Sequence, residues 1–137
     1  MQYGYSKTVN LSYENAIERI TEELKERGFG ILTEIDVKAT MKKKLDAEMN
    51  NYKILGACNP NFAHQMLQME QEIGIMLPCN VIVYTRDDGS TVIAAQDANA
   101  MVKVVGEDPR IESVADQVTA RLKEAVDAVA NKAGILA

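Results

Sequence analysis

The stretch Tyr52-Lys53-Ile54-Leu55-Gly56-Ala57-Cys58-Asn59-Pro60-Asn61-Phe62-Ala63-His64 carries the sharpest local signal in the chain. Residues 52–58 read as a strand. Asn59-Pro60 then supplies a helix N-cap acceptor followed by a proline, whose missing N–H costs nothing at the first helical position. Beyond it Phe62, Met66, Met69 and Ile73 recur at four-three-four spacing. A third helix should therefore bury that side and turn Gln65, Gln68 and Gln71 outward, ending at Gly74. A strand that runs straight into a capped helix sets the pattern for the rest of the molecule.

Upstream, residues 3–10 mix Tyr, Ser, Thr and Val as a first strand, and Ser12 caps a helix over 13–27 whose Ala16, Ile17, Ile20 and Leu24 share one face. Arg27-Gly28 closes it with a cation and a permissive residue. Residues 30–37 alternate as a second strand, and Asp36 caps a thinner helix over 37–46. Downstream, residues 80–86 and 90–95 flank Asp87-Asp88-Gly89, which predicts an antiparallel hairpin with Gly89 at positive φ. A short helix follows near 97–105. From Pro109, Ile111, Ala115, Val118, Leu122, Ala125 and Val129 are spaced four-three-four-three-four, the mark of a long amphipathic helix. The expected architecture is α+β: one domain over residues 1–137, a single sheet of about five strands packed by helices, and a long C-terminal amphipathic helix.

With 137 residues, 47% of them hydrophobic, the chain has material for one core. Its 15 Lys and Arg against 20 Asp and Glu give a net charge of −5. A phosphate backbone is repelled over most of such a surface, which excludes duplex nucleic acid as a partner. Two cysteines do not make a secreted disulfide framework, and Met1-Gln2-Tyr3-Gly4 opens no basic-then-apolar leader, so a cytoplasmic location is expected. The least polar stretch, residues 73–84, contains Pro78 and Asn80 and falls well short of the roughly 20 residues a membrane span needs.

Several groups of residues invite a chemical reading. Lys38 with Lys42, Lys43 and Lys44 resembles an anion patch, yet lysines late in a helix also complement its negative end. Glu34 and Asp36 share one strand face as an acid–base or hard-metal pair would, but Asp36 has a role as N-cap. The junction is more informative. Cys58 precedes a helix N-terminus, where unpaired N–H groups favour a thiolate and attract anions, and Gly56 permits close approach of a ligand. His64 lies about 150° around the helix from the Phe62/Met66 face. On a solvated helix it meets only water. At a cleft or dimer seam it becomes a ligand for haem or a soft transition metal, with Cys58 or Cys79 as co-ligand. No orienting acid or oxyanion hole marks a Cys–His nucleophile, so no catalytic constellation is recognised and the balance leans away from an enzyme.

The run Gly28-Phe29-Gly30, Thr33-Glu34-Ile35-Asp36-Val37, Ile54 to Pro60, Ala63-His64 and Leu77-Pro78-Cys79-Asn80-Val81 resembles the domain of unknown function 302 family, in order and spacing, over nearly the whole chain. That resemblance implies a mixed sheet, a dimer and no established general activity. It places the family's recurrent polar features on Glu34, Asp36, Asn59, Pro60, His64, Pro78 and Cys79. The chain departs from the family's pattern at Asp97-Ala98, where a proline often follows the acid, and near Asp46-Ala47, where a glycine is common.

Two functions follow. The first is a small-ligand, metal or haem binding module at the Cys58-Asn59-Pro60/His64 junction, with Cys58, Asn59, His64 and Cys79 as ligand-binding residues. The alternative is a structural or interaction homodimer, built through the long helix or a sheet edge, in which the same residues only end strands and cap a helix.

Overall fold

The computed structural model describes residues 3–106 and 108–133; Met1 and Gln2, read above for a leader, lie outside them. Its strands are β1 (Gly4–Val9), β2 (Gly30–Asp36), β3 (Tyr52–Cys58), β4 (Cys79–Thr85) and β5 (Thr91–Gln96). They form one sheet in the order β1-β5-β4-β3-β2. The helices are α1 (Tyr13–Glu26), α2 (Val37–Leu45), α3 (Pro60–Met69), α4 (Ala98–Val102) and α5 (Pro109–Ala133), with a 3-10 segment at Gln71–Met76.

All four ladders are antiparallel, which corrects the mixed sheet implied by the resemblance. The physical reason lies in the connections. A parallel neighbour needs a packed crossover, and the helix between β2 and β3 buries none of its residues, so it serves only as a return. α1 does link two strands that run the same way, β1 and β2, but they occupy opposite edges and share no ladder.

Side chains alternate across the pleat, and the sheet's contribution to the core is odd-numbered: Leu55, Ala57, Val81, Val83, Ile93 and Ala95. Against them lie Ile20 and Leu24 of α1 and the whole predicted series of α5. The long helix therefore spends its apolar stripe inside its own chain. Polar contacts tie α5 to the sheet and to α1. Tyr5 of β1 donates to Asp127 of α5 at 2.5 Å. Glu23 of α1, 5% exposed, accepts from Lys132 at 2.8 Å and from Arg27 at 3.2 Å.

The caps are where the residues predict them. Ser12 accepts from the Asn15 N–H, and Asp36 from that of Ala39. Gly28 at φ 87° closes α1, with its own N–H bonded to Lys25 O and that of Phe29 to Leu24 O. Gly89 at φ 88° turns the β4–β5 hairpin. α3 is shorter than its four-three-four pattern: Glu70 adopts an extended conformation, its carboxylate caps Glu72 N–H, and the chain resumes as the 3-10 segment. Ile73 stays buried across that break.

Candidate functional site

At the junction, the Asn59 carboxamide accepts from Phe62 N–H at 3.4 Å and donates to Arg27 O at 3.5 Å, so one buried side chain ties the start of α3 to the end of α1. A Cβ on Gly28 would come within 2.9 Å of Asn59 Nδ2. The space over Gly56 belongs to the chain itself: a Cβ there would collide with Thr33 Oγ1 and approach Pro78 Cγ to 2.8 Å. Pro78 follows a cis Leu77–Pro78 bond and brings the start of β4 against β3.

Cys58, Asn59 and Cys79 line one cavity of about 20 Å³ together with Phe62, Met66 and Pro78. His64 is not part of that lining; it is exposed on α3, with Nε2 3.4 Å from Gln68 Nε2. Ala57, not Cys58, pairs with Cys79 across β3–β4, so the two cysteines stand one residue out of register and both are free thiols. Burial pushes the Cys79 thiol up to about 11, with a smaller contribution from Cys58. A volume near 20 Å³ holds a water-sized group or a single ion and no macrocycle. Among the described residues no three His, Cys, Asp or Glu side chains group as metal ligands.

A second feature emerges on the other face of the sheet. The ladders align Ile35, Ile54, Ile82 and Ala94 in one row across four strands, outside the helix-covered core cluster. In the next row Tyr52 and Tyr84 stack with centroids 5.5 Å apart beside Val92. Burial raises the pKa of the Tyr52 phenol, with smaller contributions from Tyr84 and Tyr3. Over β3, β4 and β5 neither row contains an ionisable group other than the tyrosines; in β1 the rows end on Ser6 and on Thr8, which accepts from Arg86 Nη1 at 3.1 Å. Ile35 remains 47% exposed and its neighbour in sequence, Glu34, marks the charged edge. The signal was present in the sequence as strands apolar on both faces, Val81-Ile82-Val83-Tyr84 and Val92-Ile93-Ala94-Ala95. Continuous apolar strands are expected where both sides of a sheet are covered.

An antiparallel sheet with a helical layer on one side, and a second side apolar over β3, β4 and β5, defines the molecule as a two-layer α+β domain. The comparisons place it further. The model of the family described as domain of unknown function DUF302 matches residues 5–129, and the chain belongs to that family. It is similar to the crystal structure of an uncharacterized conserved protein DUF302 from Bacillus stearothermophilus, with a TM-score of 0.88 and 29% identity, over 94% of this chain and 99% of that one. No curated protein matches the sequence. Among the described residues no helix is long and apolar enough to cross a membrane.

Proposed function

We propose that this domain works as a self-associating module, two copies meeting through the open faces of their sheets. The observation that carries this reading is the pair of uncharged rows, Ile35-Ile54-Ile82-Ala94 and Tyr52-Tyr84-Val92. Interface centres are depleted in charge and enriched in tyrosine. The occupant follows from electrostatics: each copy carries a net charge of −5, so two copies meet favourably only where that charge is absent. A two-fold contact then lays each row against its own counterpart. Neither route anticipated from the sequence fits as well. The stripe of α5 is consumed in the core, and the edge strand β2 carries a register irregularity between Ile31 and Thr33 together with Glu34 and Asp36, all of which discourage edge pairing.

Replacing Ile82 by Lys puts a charge at the centre of the face without touching the helical core. Size-exclusion chromatography with light scattering should find the Ile82→Lys variant monomeric, and a Val104→Lys control, at a site 76% exposed elsewhere, as dimeric as the parent. An Ile82→Lys protein that stays dimeric would remove this face from the interface.

A small-ligand role at the junction retains one supporting observation, the shared cavity of Cys58, Asn59 and Cys79. Its size favours an ion or a diatomic-sized group over haem. Uptake of such a ligand that is lost in Cys58→Ser would support it.

A further inference from the structure

Beneath α3 and the 3-10 segment lies a second cavity of about 20 Å³, beside the first. Met66, Leu77, Cys79 and Val118 line both and form the partition between them. The second cavity is rich in sulfur: Met66 from α3, Met76 from the 3-10 segment, Cys79 from β4 and Met101 from α4 all line it. Four separate elements each contribute a sulfur-bearing residue to one lining, which no single helical stripe accounts for. We propose that this cluster is a binding site for one soft monovalent metal ion, Cu(I), with Cys79 as the anionic ligand and the thioethers of Met66, Met76 and Met101 as neutral ligands. The proposal is separate from the ligand reading of the junction: Cys79 lines both cavities, but this site uses none of Cys58, Asn59 and His64.

Charge decides the metal. Cys79 is 8% exposed and Met66 5%, so a net charge left in this cavity would be costly. The thiol is free and buried. Binding replaces the S–H bond by an S–Cu bond and releases the proton to solvent, with copper remaining Cu(I). Thiolate and monovalent ion cancel, and the thioethers add no charge, so the site is neutral both empty and loaded. A divalent ion on the same ligands would leave one buried positive charge, and thioethers are poor partners for Zn²⁺ and well matched to Cu(I).

Titrating the reduced, intact chain anaerobically with Cu(I) in competition with the chromogenic chelator bicinchoninate tests the site. One Cu(I) per chain should be withdrawn from the chelator, with a thiolate-to-copper absorption band, and Zn²⁺ should not compete. Cys79→Ser should lose at least a hundredfold in affinity, and Met66→Leu and Met101→Leu, which preserve volume, about tenfold each, by the weakening typical of altered metal surroundings. Cys58→Ser and His64→Ala should bind as the parent does. If Cys79→Ser fails to fold, the Met66→Leu/Met101→Leu double variant decides. Methionine variants that bind like the parent overturn the proposal. Loss of Cu(I) in Cys58→Ser with the methionine variants unaffected also overturns it, while leaving the junction reading intact. A parent that withdraws no Cu(I) overturns the site outright.

Discussion

Gly56 and Asn59 show how much a single residue decides at the β3–α3 junction. Gly56 lets Thr33 and Pro78 close over the strand, and any side chain there must push one of them away. Gly56→Ala should therefore lower stability by about 1–3 kcal/mol, the usual cost of overpacking. Asn59→Ala removes an N-cap and leaves Arg27 O without its side-chain donor, for an expected loss of about 1 kcal/mol. Chemical denaturation of both variants measures these effects; an unchanged midpoint for Gly56→Ala would mean that the close contact over β3 is not real. The thiols differ just as sharply. Cys58 is half-buried, whereas Cys79 is buried with its thiol pushed up to about 11, so only about a thousandth of Cys79 is thiolate at pH 8. Iodoacetamide should modify Cys58 first by a wide margin, and mass spectrometry that finds both labelled at one rate would contradict the burial of Cys79.

Among the elements, α1 and α5 are joined through Glu23. Its hydrogen bond from Lys132, opposed by burial and aided by Arg27, holds the carboxyl below the ordinary range. A carboxyl whose folded value is depressed contributes stability that is present above its unfolded value and disappears as pH falls through the folded one. Glu23→Gln should cost about 1–3 kcal/mol near neutrality and flatten the loss of stability on acidification below about pH 4.5, where the parent sheds this contribution. Thermal melts from pH 3 to 7 give the comparison; parallel curves for the two proteins would show that the clasp is not ionised as described. Much of this level was legible beforehand. The caps at Ser12, Asp36 and Asn59 and the glycines at 28 and 89 act locally, within a turn of the residue that signals them. The α5 stripe was equally plain. What eluded reading depended on distant partners: Glu23 looked like one more charge on a helix until Lys132, far along the chain, came to rest beside it. The end of α3 was also hidden, because Ile73 remains buried on both sides of the break and the apolar spacing passes through it unaltered.

At the scale of the whole molecule, the sheet's two faces have separate roles. One is filled by α1, α3 and α5, and the other carries the isoleucine and tyrosine rows, in which Ile35 is exposed while Val92 and Ala94 are buried. The alternation in β3 and β4 already contained those residues, but which of them stand side by side depends on strand order and register, and neither can be read from one strand at a time. The candidate site was legible to the same degree. Cys58, Asn59 and Cys79 do share a cavity, since β3 and β4 are neighbours, while His64 lies outside it because α3 turns that side to solvent. Self-association through the open face is the central claim, and sedimentation equilibrium of the unmodified chain tests it most directly. Across micromolar concentrations the account predicts a mass of twice the 15.1 kDa chain, falling to the single-chain value only on strong dilution. A single-chain mass persisting at tens of micromolar and above would contradict it.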